Sequence, residues 1–403
     1  MSKVILIGTH GHGHVNPTLP VVSQLVQNGH KVIYYNDEGF HANIGGAGAE
    51  FRPYPSDVDT SPDRLARAVN GHMMDITLHL FAVSMTLTQY MLDEIQREQP
   101  DALIFDSVAL WGLQAARLTG IPAVASITTF VTKGIHVPLR FADYLHFLRG
   151  AIVRLPRFIT QRRTLIKRYG RDSLPAKGIF PGTGGMNIVF TSRDLQPPTA
   201  FINDSYHFVG PSLAARPDDT PLELPARRPL VYISLGTIHT LRRGFLQKCF
   251  DAFADHDGCF VVSADRTADT LNPPPNFVVK SHVPQLDVLQ RADLFITHAG
   301  MNGVQEGLYY GVPMVFVPQQ MEQLINARIA EAKGVGIIIG DTPPYGEKFT
   351  VEELRDVVDK VLANPKYRSA AQRISRSLRA AGGTERAVQL IELFLQDNTA
   401  STG

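Results

Sequence analysis

Cysteine is almost absent from this chain of 403 residues, where Cys249 and Cys259 are the only two. That scarcity excludes a disulfide framework and a thiolate metal cluster. Neither sign of charge is in excess, with 39 Lys and Arg against 38 Asp and Glu. The chain therefore lacks the basic field that nucleic acid or an anionic membrane calls for. A small-molecule partner is expected, with no nucleic acid and no membrane association. Long apolar runs are missing too. The longest apolar region, Asp75 to Leu92, is broken by His79, Ser84, Thr86 and Gln89, which suits a helix partly facing a pocket and not a membrane span. The opening "MSKVILIG" carries a lone Lys before a run too short for a signal peptide, so it reads as a buried strand and the expected location is cytoplasmic.

What is present is globular: 44% hydrophobic and 19% charged residues, on a length that points to two domains. Short β-branched runs ("KVILIG", "HKVIYY", "DALIFD", "PAVASI", "LVYISLG", "CFVVSA", "DLFITH", "PMVFVP") alternate with longer helical patterns. Such alternation indicates parallel βαβ units with helices on both faces of a sheet. Between roughly Pro197 and Pro229 the pattern stops in a proline-rich stretch that reads as an interdomain connection. The expected division is a first domain over 1–210, a linker over 211–228, a second domain over 229–380, and a terminal helix over 381–403 that packs back on the first domain. The two halves echo each other: "DALIFDSVALWGLQAARLTGIPAV" runs in the same order as "ADLFITHAGMNGVQEGLYYGVPMV". In that overlay Asp106 and His298 both fall at the carboxyl end of a strand, where open α/β sheets bind ligands. Two facing sheets with one cleft between them are expected.

The stretch "GTHGHGHVNP" places His10, His12 and His14 at alternate positions. A metal site would use imidazole ligands, but glycine between them and Asn16-Pro17 behind them mark a loop entering a helix, and no metal is expected. A nucleotide loop is the second reading, since Gly11-x-Gly13 follows a strand and Asp37 stands where a ribose-binding acid sits in dinucleotide folds. Asn16 occupies the third glycine position, and an ordinary loop acid is the plainer reading of Asp37. The third reading makes His14 a base at the strand–helix junction. It needs an orienting carboxylate, and Asp106 is the candidate, with helix N-cap as its alternative role. His10 and His12 then make loop hydrogen bonds.

The segment from His282 to Ala327 is more specific. Strand "LFIT" leads to His298-Ala299-Gly300 and a helix beginning near Met301. Open N–H groups and the dipole of a helix start make a phosphate site, with Gly300 allowing close approach, His298 donating, and Glu306 one turn on, in reach of a ribose. "GHGHVNP" and "THAGMN…E…GVPMV…P…EQ" together resemble family 1 UDP-glycosyltransferases, most of all the bacterial macrolide-glycosyltransferase-like branch, over nearly the whole chain. The resemblance implies the GT-B fold: two Rossmann-like α/β domains, the first holding an acceptor and the second a nucleotide sugar. Carried over by position, it makes His14 the base and Asp106 its partner. It assigns His298, Gly300, Asn302 and Gly303 to the diphosphate, Glu306 to the ribose, and Glu322 and Gln323 to sugar hydroxyls. Gln285 and the backbone at Val283 fall on the uracil segment, and Ser234 and Thr237 on a second loop near the nucleotide. Two positions depart from the pattern. His282 replaces the Trp that many members stack on the base, which weakens the preference for UDP over TDP, and Met301 stands where plant members have Trp.

The implied reaction is inverting, metal-independent transfer of a hexose from a UDP-sugar, UDP-glucose in the first instance, to a hydroxyl of a hydrophobic small molecule such as a flavonoid or macrolide. No bound cofactor is expected, and "DVD" at Asp57 to Asp59 reads as a solvated loop. Gly71–Met85 and Thr129–Leu148 supply Met73, Met74, Phe81, Phe130 and His136 as candidate acceptor contacts, with core packing as the alternative. Competing readings are a UDP-sugar epimerase of the same fold, a lipid- or cell-wall-directed transferase, and a binding protein without turnover. The basic run Arg149–Arg171 keeps the lipid reading open, and a solvated helix face is its plainer meaning.

Overall fold

The computed structural model describes residues 1–58, 72–132, 139–176, 178–214, 221–236, 243–264, 271–343 and 345–400. The chain divides into two compact units. The first comprises Met1–His136, Phe147–Leu213 and Ala380–Gly403, and the second comprises Val137–His146 and Ala214–Arg379.

The first unit is built on β1 (Lys3–Ile7), β2 (Lys31–Asn36), β3 (Glu50–Pro53), β4 (Ala102–Asp106), β5 (Ala123–Ile127), β6 (Met186–Val189) and β7 (Tyr206–Phe208). They pair in the order β3-β2-β1-β4-β5-β6-β7, and every pairing is parallel. A parallel sheet covered on both faces needs apolar residues on both. In β1, Ile5 and Ile7 join one buried layer with Phe105 and Trp111, while Val4 and Leu6 join the opposite layer. The second layer also takes Val388, Ile391 and Leu395 from the terminal helix Gly383–Ala400, beside Val21, Val22 and Leu25 of the helix Leu19–Gln27.

The second unit repeats the plan with β8 (Leu230–Ser234), β9 (Cys259–Ser263), β10 (Phe277–Lys280), β11 (Leu294–Thr297), β12 (Met314–Phe316) and β13 (Gly336–Ile338). Their order is β10-β9-β8-β11-β12-β13, again all parallel. Strand order reverses between β1 and β4 and between β8 and β11, and such reversals are where open α/β sheets bind ligands.

All eight apolar runs read from the sequence are strands. The proline-rich connection is not wholly irregular, however: β7 lies inside it. Its three residues, Tyr-His-Phe, pair on one side only, with β6. Too short and too polar to show an apolar run, β7 is a strand because β6 offers it an edge.

The region Asp75–Leu92 is helical within Met73–Glu98. His72 and Asp75 form a reciprocal capping box at its start. The basic run lies in the helix Phe141–Tyr169, where Arg154 grips Asp75 through two bonds of 2.7 and 2.8 Å and Phe158 packs on Phe81 at 5.3 Å. Its outer side is not simply a charged face, because Leu148, Ile152, Val153 and Leu155 are exposed there. No described helix is long and apolar enough to cross a membrane. Both cysteines are free and buried.

Candidate functional site

In the first unit, β1 delivers the chain into a glycine turn, with Gly11 at φ 131°, before the short helix His12–Val15. The left-handed value at Gly11 suits glycine alone, and it swings His14 toward β4. There His14 Nδ1 lies 2.9 Å from Asp106 Oδ2. The side chain of His14 is 25% exposed and that of Asp106 only 3%. The other oxygen of Asp106 accepts the Val108 N–H at 2.9 Å. Asp106 therefore does not cap the following helix, which starts at Leu110 with Ala109 as its N-cap. A carboxylate facing Nδ1 favours the tautomer with hydrogen on that nitrogen and leaves the lone pair on Nε2. Such a ring is set to take a proton.

Thr128 belongs to this site and the sequence reading missed it. Its Oγ1 lies 3.0 Å from the same His14 nitrogen, and it is buried just past β5. The available signal was its place at the carboxyl end of the strand beside β4. The remaining histidines of the loop go elsewhere. His10 Nδ1 pairs with Asp37 Oδ2 at 3.0 Å, and the His12 ring meets Phe40 edge-on at 5.1 Å. Asp37 is thus a loop acid with a partner, and the three histidines do not share one centre. Among the described residues no three His, Cys, Asp or Glu side chains are grouped to hold a metal ion.

In the second unit, His298 follows β11, the counterpart of β4, and so occupies the place of Asp106 in the repeated plan. Its ring is clasped between two glycines: a Cβ on Gly236 would come 2.7 Å from the ring, and one on Gly300 2.4 Å from Nε2. Real Cβ atoms do not approach so closely, so both glycines are needed to seat the imidazole. Between His298 and Gly300, Ala299 adopts a left-handed φ of 65°, a conformation costing a non-glycine residue roughly 1 kcal/mol. Asn326 offsets this by donating to the Ala299 carbonyl at 3.1 Å and to Glu322 Oε1 at 2.7 Å. Glu322 is thereby tied to the His298 loop. Gly300 is the N-cap of the helix Met301–Tyr309 and, having no side chain, makes no capping bond of its own. The N–H groups of the first turn, including Asn302 and Gly303, are oriented for an anion.

Glu306 is buried one turn further on and accepts a hydrogen bond from Gln285, whose Oε1 in turn accepts the Tyr232 hydroxyl at 3.0 Å. Two residues assigned to different parts of a nucleotide are thus directly joined. Ser234 closes β8 and is buried; His282 is exposed; Val283 is buried. Gln323 is buried, and its side-chain oxygen accepts the Gln319 N–H at 2.8 Å. Of the candidate acceptor contacts, Met73 is exposed and Met74 half-buried at the start of Met73–Glu98. Phe81 and Phe130 are packed in the interior, as the alternative of core packing has it. Thr237, His136 and Asp59 lie outside the described residues.

The family model described as UDP-glucoronosyl and UDP-glucosyl transferase matches residues 223–401. Over its whole length the chain is 30% identical to the uncharacterized UDP-glucosyltransferase YojK of Bacillus subtilis (strain 168), the match covering 100% of this chain and 99% of that one. It is 28% identical to the oleandomycin glycosyltransferase of Streptomyces antibioticus, covering 98% and 91% of the two chains. The crystal structure of the glycotransferase of kitacinnamycin superposes with a TM-score of 0.82 at 28% identity, over 98% of this chain and 99% of that one. With its two parallel, Rossmann-like sheets of the GT-B type and this full-length likeness, the chain belongs to the UDP-glucuronosyl and UDP-glucosyl transferase family and is a glycosyltransferase.

Proposed function

We propose that this enzyme moves a hexose, glucose in the first instance, from a UDP-sugar to a hydroxyl of a hydrophobic natural product, with inversion and without a metal. The first unit binds the acceptor and the second the nucleotide sugar. His14 Nε2 takes the hydroxyl proton as the acceptor oxygen bonds to the anomeric carbon. The bond from that carbon to the diphosphate breaks, and its electron pair leaves with UDP. Asp106 holds the ring and stabilises the imidazolium that forms. The charge growing on UDP meets the helix start at Gly300, Asn302 and Gly303, together with His298. Glu306 takes the ribose, Gln285 with His282 and the Val283 backbone the uracil, and Glu322 and Gln323 the sugar hydroxyls. Ser234 and Thr237 complete the nucleotide side.

The observation that carries this reading is the 2.9 Å contact between His14 Nδ1 and the buried Asp106 carboxylate, at the strand reversal of the first sheet. The donor class is supported by the family model and by the UDP-glucosyltransferase of B. subtilis. The acceptor class is supported by relatives named for oleandomycin and kitacinnamycin. The test is UDP release from UDP-glucose with a panel of flavonoid and macrolide acceptors, with and without EDTA, product mass being read in parallel. Acceptor-dependent release with a hexose adduct, insensitive to EDTA and lost in His14→Ala, is the expected result. Wild-type turnover by His14→Ala would sink the mechanism. Release from TDP-glucose alone would reassign the donor, in keeping with His282 at the base position.

A further inference from the structure

Among the described residues the carboxyl edge of the first sheet carries two imidazole–carboxylate pairs, and the proposed chemistry uses one of them. His10 and Asp37 make the second, at 3.0 Å, with side chains 19% and 12% exposed. The bond to Asp37 is the single hydrogen bond of the His10 ring among the described residues. The ring also stands edge-on against buried Phe40, with centroids 5.5 Å apart. Carboxylate and phenyl group together fix how the imidazole is turned, and what they fix is the direction of Nε2. The carboxylate at Nδ1 favours hydrogen on that nitrogen, so Nε2 keeps the lone pair and is able to accept from an O–H group.

The sheet order sets the spacing. β2, β1 and β4 lie side by side; Asp37 follows β2 and Asp106 ends β4. Two inter-strand steps separate their roots by about 10 Å, so a molecule that meets both rings must be elongated and carry its two hydroxyls well apart. We propose that His10, oriented by Asp37, is a specificity-determining residue that accepts a hydrogen bond from a second hydroxyl of the acceptor while His14 serves the reacting one. The inference rests on the reading of His14 as the acceptor base. It narrows the substrate class to elongated molecules hydroxylated at both ends.

The test compares para-hydroxystilbene with para,para′-dihydroxystilbene, by calorimetric binding and by transfer kinetics. Wild type should bind the dihydroxy compound about tenfold more tightly, the range of one hydrogen bond to an oriented partner. In His10→Ala the preference should fall to the roughly twofold statistical advantage of a symmetric ligand, with binding and turnover of para-hydroxystilbene unchanged. His10→Gln, whose amide nitrogen falls near the place of Nε2, can donate to the oxygen of the second hydroxyl in place of accepting its proton and should regain part of the preference, and His10→Asn should not. A preference untouched in His10→Ala overturns the proposal, as does an equal loss for both stilbenes, which a merely structural role predicts. A wild type that binds neither stilbene, or both alike, also overturns it. Preferential binding with no transfer would support His10 and instead refute the transferase chemistry assigned to these acceptors.

Discussion

Replacing Gly303 by alanine adds one methyl group at the third position of the helix Met301–Tyr309. The fold itself has room for it: a Cβ there would lie 3.5 Å from Thr297 Oγ1 and 3.8 Å from the Phe295 ring, ordinary contact distances. Alanine is the better helix former by up to about 1 kcal/mol. For a unit of this size that converts to a rise in Tm of roughly 2–4 °C at most. The donor is affected in the opposite sense. If the diphosphate rests on the N–H groups of this turn, the methyl intrudes on it, and overpacking of about 1–3 kcal/mol raises KM for UDP-glucose by about tenfold or more. Gly300→Ala makes the contrast, because its Cβ would meet His298 Nε2 at 2.4 Å and must displace the ring, lowering both Tm and kcat/KM. Differential scanning fluorimetry and donor-saturation kinetics on the two variants read all of this. A Gly303→Ala enzyme with unchanged KM would refute the placing of the diphosphate at this helix start. One with a lowered Tm would refute the reading that its glycine serves the ligand and not the fold.

Thr128→Val removes the hydroxyl at His14 Nδ1 and should lower kcat about 2–10-fold with little change in KM, while Thr128→Ser keeps the rate; equal kcat for both variants would remove Thr128 from the site. Asp106→Asn keeps an acceptor for the Val108 N–H but turns an amide toward His14, and a loss in kcat of about 10³ or more is expected from single-turnover measurements. Arg154 holds the Asp75 carboxyl below its ordinary range, so this pair contributes stability above the unfolded carboxyl's titration and loses it as pH falls through the lowered folded value. The Tm deficit of Asp75→Asn should accordingly be full at pH 7 and shrink below about pH 4, and a deficit independent of pH would contradict the assignment. Ile391→Ala, in the buried face of the terminal helix, should cost about 2–5 kcal/mol. A Tm unchanged in that variant would mean the helix does not support the first unit.

Strand identity was legible because it is local. A run such as Val4–Ile7 is apolar at every position only if both faces are to be covered, and that requirement is written in consecutive residues. The repeated strand–helix order also revealed that Asp106 and His298 occupy matching strand ends. His14 and Asp106, 92 residues apart, were paired from sequence for a related reason: parallel strands turn all their carboxyl ends to one edge, so polar residues after neighbouring strands meet there. That rule names the edge but not the contacts along it. Thr128 and the His10–Asp37 pair satisfy it equally, yet threonine, aspartate and histidine are common at loop starts, and nothing local separates those that meet from those that face water. The hydrogen bond from Gln285 to Glu306 and the burial of Phe81 against Phe158 depend on helices that neither segment encodes alone. Edge strand β7 exists because β6 presents unpaired backbone to it. The chain by itself thus determined which segments are strands and helices and which strand ends carry polar groups, since periodicity and turn chemistry act between near neighbours. Only the tertiary structure decided which of those groups touch, because strand order and side-chain direction are set by contacts between segments tens to hundreds of residues apart.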